Sequence, residues 1–178
     1  MIILRKNNKG FTLVELLASL VILGLIMAVA VPNVLGILTS NRNTTYVEDA
    51  KKLSTSMEYR FRGDNSLIKP AVADECIVAT LAYLGTTEFE DPPYGGEYDV
   101  DKSFVVMKKV CTGSDCSYQY YVQLIEKYKN THYRGVELTN TENLYNDNYA
   151  DYVKNVTSPA YDFTAVSCGT VAKEYTTE

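Results

Sequence analysis

Hydrophobic and polar positions divide the chain into unlike stretches. From Phe11 to Leu38 apolar residues dominate, and Glu15 is the single charged side chain. A helix needs about 20 such residues to cross a bilayer, so this run is long enough. From Tyr46 the pattern changes. Tyr46, Val47, Ala50, Leu53, Met57 and Phe61 recur at three- and four-residue spacing, with Asp49, Lys51, Lys52 and Glu58 largely on the other side. That period predicts an amphipathic helix whose apolar face packs on a sheet. Arg62-Gly63-Asp64-Asn65 supplies the stop. The Arg-Gly-Asp triplet within it reads as a helix end, since three residues recur by chance.

Further along, Asp74 to Gly85 reads as a short helix ended by its glycine. Asp91 to Tyr98, with Pro92, Pro93, Gly95 and Gly96, reads as turns. Ser103–Val110 and Ser117–Glu126 are rich in Val, Tyr and Phe and read as paired strands, with Gly135–Leu138 as a third. Periodicity fades after Lys129. Asn146-Asp147-Asn148 through Asp151 gathers oxygen-bearing side chains, but at no calcium-loop spacing, so a solvated turn is expected there. Thr170–Glu178 reads as a frayed polar tail.

Charge changes the picture mainly at the N-terminus. The chain of 178 residues has a net charge of −5, and nothing in that balance points to nucleic acid. Arg5, Lys6 and Lys9 precede the apolar run with no acid among them, so this flank should stay cytoplasmic and the remainder face outward. Three readings fit an apolar run behind a basic flank. One is a secretory signal cut after Ala28-Val29-Ala30, and another is an uncleaved anchor. The third is a prepilin leader. Glu15 separates them. A carboxylate inside a membrane helix costs about 2.5–3.5 kcal/mol on insertion scales and usually has a functional partner. Neither a signal nor an anchor requires it.

Lys9-Gly10-Phe11-Thr12-Leu13-Val14-Glu15 resembles the cleavage and methylation motif of type IV pilins and secretion pseudopilins. The family pattern is a short basic leader ending in Gly, then Phe, then Glu at the fifth mature position, then an unbroken apolar helix. The motif spans only the first part of the chain. Outside it, the Asp-Pro-x-Tyr-Gly-Gly-x-Tyr segment at 91–98 is similar to the αβ-loop of many family members. The resemblance implies an α+β pilin fold: a long N-terminal helix, half membrane-embedded and half amphipathic, packed on a small antiparallel sheet. It implies a leader at 1–10, an assembly half of the helix at 11–38 and a soluble head at 39–178. Cleavage between Gly10 and Phe11 by a prepilin peptidase, methylation of the Phe11 amine and a meeting of Glu15 with a neighbouring subunit's amine are implied likewise. So are an assembly platform protein and an ATPase motor. An internal pairing of Glu15 with its own Phe11 amine is the alternative. Gly24 and Pro32 weaken the helix, and Pro32 should kink or locally melt it.

Export gives the four cysteines a meaning they would lack in a cytosolic chain. Three pairings are open. Cys111 and Cys116 flank a short loop between the two predicted strands, which favours joining them and leaves Cys76 with Cys168 by elimination. A metal reading of Cys111 and Cys116 lacks a second pair of ligands.

As to function, a structural filament subunit leads, with a pilus subunit ahead of a secretion or competence pseudopilin. A binding module is second, since 15 tyrosines suit sugar or surface contacts. An enzyme is last: the sequence shows no nucleophile elbow, phosphate loop or metal signature, and His132 is the only histidine. No cofactor or metal is expected.

Overall fold

The computed structural model describes residues 10–87, 89, 91–129, 131–145 and 149–177. The basic leader and the Asn146–Asn148 oxygen cluster lie outside them. The chain divides into two compact units, Met1–Thr39 and Ser40–Glu178.

The first unit holds the opening stretch of a helix, α1 (Leu13–Gly63). Its large apolar side chains from Leu13 to Leu38 are 47–80% exposed, all round the helix. The helix is continuous through Gly24 and Pro32, so no local melting is seen there in this state. Proline removes one backbone donor, while the turns on either side keep theirs. Side chains add bonds nearby: Asn33 Nδ2 donates to the Val29 carbonyl at 3.2 Å and Thr39 Oγ1 to that of Leu35 at 3.0 Å.

In the second unit the later stretch of α1 packs on a sheet. The six residues expected on its apolar face are all buried, at 0–1% exposure. They meet Ile77, Ala79, Val105, Met107, Val122, Leu124 and Val136. The strands are β1 (Glu75–Thr80), β2 (Glu97–Tyr98), β3 (Phe104–Thr112), β4 (Asp115–Tyr128), β5 (His132–Asn140), β6 (Val153–Val156) and β7 (Thr170–Tyr175). Their order is β6-β5-β4-β3-β1-β7, with β2 added beside β4. All pairs are antiparallel except β1 with β7. This is the expected α+β arrangement, with a larger sheet than foreseen.

Two elements differ from the sequence reading. Asp74–Gly85 is mainly strand: β1 occupies Glu75–Thr80, and only Leu81–Leu84 is helical (α2), closed by Gly85 at φ 94°. The cause is burial on both faces. Ile77 and Ala79 face α1, while Cys76 and Val78 join a second cluster with Phe104, Val106 and Val166. A strand covered twice reads as a continuous apolar run, which periodicity cannot tell from a buried helix. The supposed frayed tail is β7, parallel to β1. Tyr175 anchors it: its ring stacks edge-on against Phe61 at 5.2 Å, and its hydroxyl accepts from the Ile68 amide at 2.7 Å.

Both cysteine pairs are disulfides. Cys76–Cys168 ties the start of β1 to the residues just before β7, and Cys111–Cys116 closes the β3–β4 hairpin. Opposite the hairpin, β5 crosses β4 so closely that a Cβ on Gly135 would collide with the Leu124 carbonyl. Tyr46 of α1 uses the same point: its hydroxyl donates to the Arg134 carbonyl at 3.0 Å.

Candidate functional site

The helix start at the cleavage motif is a reciprocal cap. Thr12 precedes the first residue of α1, and Glu15 is its third residue. The Thr12 amide and hydroxyl both donate to Glu15 Oε2 at 2.9 Å, and the Glu15 amide donates back to Thr12 Oγ1 at 3.3 Å. This is a capping box, which satisfies amides that otherwise have no partner in the first turn. The pattern Thr-x-x-Glu was legible at 12–15, yet the sequence reading gave Thr12 no role. The Glu15 carbonyl in turn accepts from Ser19 Oγ at 2.8 Å. Among the described residues, Glu15 Oε1 has no hydrogen-bond partner. Glu15 therefore engages Thr12 in this state, and Phe11, still peptide-bonded to Gly10, has no free amine to offer it. Phe11 is 87% exposed and Gly10 is exposed. Behind the cap follows the helix, whose apolar window has a mean hydropathy of 2.6 and no buried residue. By length and composition it can cross a membrane.

Residues 5–31 match the family described as the prokaryotic N-terminal methylation motif. This is the type IV prepilin signature. No curated protein and no solved structure matches the chain. The signature and the apolar helix fit an inner-membrane-anchored precursor, processed by a peptidase and later assembled with other pilin subunits into a filament. The matched family is a structural motif and not an enzyme family.

In the head, the 91–98 loop is clamped onto α1. Gly95 takes the left-handed φ of 83° that its turn requires. Tyr94 donates to Asn43 Oδ1, and Tyr98 donates to Asp49 Oδ2 at 2.6 Å. The Arg134 guanidinium lies over the Tyr94 ring at 4.1 Å. Beneath the loop sits Glu126, fully buried on β4. Its Oε1 accepts from the Gly96 amide at 2.7 Å, and its Oε2 has no partner among the described residues. Burial pushes the Glu126 carboxyl above the usual carboxylate range, against smaller opposing effects of the Gly96 hydrogen bond and Arg134. Burial likewise pushes up the phenols of Tyr46 and Tyr98, helped at Tyr98 by the Asp49 hydrogen bond. The sequence carries no signal for Glu126, because its position in β4 looks like an ordinary solvent-facing alternation. Only the loop laid over it makes it internal.

The described residues gather no trio of His, Cys, Asp or Glu fit for a metal ion. His132 packs against the Tyr128 ring and pairs with Thr131. The chemistry the N-terminal geometry offers is recognition: a carboxylate held at a helix start, ahead of an uncovered apolar surface.

Proposed function

We propose that the chain is a structural subunit of a type IV pilus, cut between Gly10 and Phe11, methylated at Phe11 and polymerised through α1. The observation that carries this reading is Glu15 at the head of an otherwise uncharged, uncovered apolar helix, within the matched signature. In the bilayer the Thr12 donors offset part of the cost of burying the carboxylate. In the filament, the amine of an incoming subunit's Phe11 supplies the opposite charge in a dry setting, where the attraction is much stronger than in water. Before assembly the chain is a single-pass cytoplasmic-membrane protein with its head outward, handled by prepilin peptidase, a platform protein and an ATPase motor. Gly24 and Pro32 are proposed to give way only when the helix packs among others.

N-terminal sequencing with mass spectrometry tests the reading. A methylated start at Phe11 is expected, and a start at Val31 or an intact leader overturns it. The 91–98 loop, similar to that of secretion pseudopilins, favours a second reading as a pseudopilin of a secretion or competence system. Abundance in sheared surface filaments supports the pilus subunit, and loss of substrate export on deletion supports the pseudopilin. A tip adhesin is the remaining variant of the first reading.

A further inference from the structure

The head carries a cleft that neither the capping box nor the loop clamp uses. It has a volume of about 280 Å³ and lies between the last turns of α1, the segment that follows, and strands β3 and β4. Phe61 and Met107, both buried, form an apolar floor. Tyr118 and Tyr120, two residues apart on β4, put their rings on one side. Glu58, Arg62 and Lys69 bring charge to it. Arg62 pairs with Glu58 at 2.5 Å, and the Tyr118 hydroxyl donates to the Pro70 carbonyl at 3.4 Å. The Lys69 ammonium and the Tyr120 hydroxyl make no hydrogen bond among the described residues. Burial pushes the Tyr120 phenol up to about 12, so the hydroxyl keeps its proton and can donate.

We infer that this cleft binds a single carboxylate-bearing sugar residue, such as a uronic acid at the end of an extracellular polysaccharide. Three features select that chemistry. First, Arg62 and Lys69 line the cleft against Glu58 alone; Arg62 is paired with Glu58, and although the Asp64 carboxylate also acts on Lys69, that ammonium makes no hydrogen bond among the described residues and is open to an anionic ligand. Guanidinium and ammonium groups both form charge-assisted bonds to a carboxylate. Second, tyrosine rings above an apolar floor offer flat amphipathic surfaces to the C–H faces of a pyranose. Third, the Tyr120 hydroxyl and the Glu58 oxygen that Arg62 does not engage need partners once water leaves. A plain aromatic or fatty acid would strand them, and an unsatisfied buried polar group costs about 1–3 kcal/mol. A ring bearing several hydroxyls satisfies both. The volume suits one sugar unit and leaves no space for a folded partner. The inference concerns the head alone and stands whether or not the filament reading does.

The test is isothermal titration of the full chain, in a detergent without a sugar head group, with glucuronate, glucose and benzoate in turn. Glucuronate should bind with a dissociation constant of about 1 mM, near −4 kcal/mol, which is ordinary for one small residue. Glucose and benzoate should each bind about tenfold more weakly, since each lacks one set of contacts worth about 1.4 kcal/mol. Lys69→Ala, which removes a side chain without hydrogen bonds, should weaken glucuronate severalfold and leave the thermal transition in place. Tyr120→Phe, which keeps the ring, should weaken glucuronate and leave benzoate unchanged. Benzoate binding as tightly as glucuronate would reduce the cleft to a simple anion site and overturn the inference. So would absence of glucuronate binding, or binding indifferent to both substitutions.

Discussion

The two stretches of α1 use one secondary structure for two different solvents. Up to Leu38 apolar side chains surround the helix, and none of its most apolar window is buried. From Tyr46 to Phe61 the apolar residues narrow to one stripe buried against the sheet, and Tyr59, off that stripe, is exposed. Helical propensity does not distinguish the two. What distinguishes them is where each stretch places its charge. The first holds a single carboxylate, tied to the helix start by Thr12. The second carries many acids and bases, with pairs such as Glu58–Arg62, and Lys51, expected on the outer side, is instead buried against the Tyr145 and Tyr149 rings. The first is built to be covered by something outside the chain. The second is already covered.

Substitutions can break that contrast, and the largest expected effect lies in the first stretch. Glu15→Ala should leave cleavage at Gly10 intact while filaments seen by electron microscopy fall to near none. The head should keep its wild-type thermal transition, because Glu15 belongs to the first compact unit and the head's core residues to the second. Normal filament numbers from this variant would falsify the assembly role of Glu15.

Next come the disulfides of the head. In the chain-entropy account, closing 92 residues between Cys76 and Cys168 stabilises by about 4–5 kcal/mol, whereas the five-residue span of Cys111–Cys116 gives only about 2 kcal/mol. Replacing each pair with serine and following denaturant unfolding should reproduce that order. Equal losses would mean that β7 holds its place without the covalent tie.

Phe61→Ala should destabilise the head by about 3–5 kcal/mol, as large-to-small changes of buried aromatics do. Phe61 packs edge-on against Tyr175, so amide exchange in β7 should rise with it. The same change to an apolar residue of the first stretch, such as Leu20→Ala, should leave head stability unaltered.

The smallest effect concerns Glu126 and pH. Its carboxyl titrates above the usual range in the folded state. Below the unfolded-state value the group is protonated in both states and its contribution is fully present. As pH rises from there through the raised folded-state value, the folded state must ionise a buried carboxyl and stability is lost. Glu126→Gln keeps an acceptor for the Gly96 amide and removes this titration. The difference in stability between wild type and variant should therefore shift towards the variant as pH rises. A difference that stays flat across that window would show that Glu126 ionises without penalty beneath its loop.

The N-terminal signature was legible in the sequence. A basic flank, Gly10, Phe11, Glu15 and a long apolar run are local features, and their meaning depends on order alone. The reciprocal cap of Thr12 and Glu15 is local as well, a Thr-x-x-Glu pattern that the structure shows formed. The amphipathic stripe of α1 and the β3–β4 hairpin were equally local. The misreadings fall where pairing is distant. β1 reads as a helix in the sequence because both its faces are apolar, and that follows from what lies above and below it. β7 reads as a tail because its polar alternation says nothing about the distant strand it pairs with, β1.

By itself, then, the sequence determined the helix, its two characters and the position of its one membrane-side charge. Periodicity and charge along a continuous segment are set by covalent order. Tertiary structure decided the parallel β1–β7 pair, the burial of Glu126 beneath the 91–98 loop, and the cleft where Tyr118 and Tyr120 meet Arg62 and Lys69. Each of these joins residues far apart in the chain. Such contacts form only when the burial and hydrogen bonding of the whole head offset the entropy of closing the long loops between them.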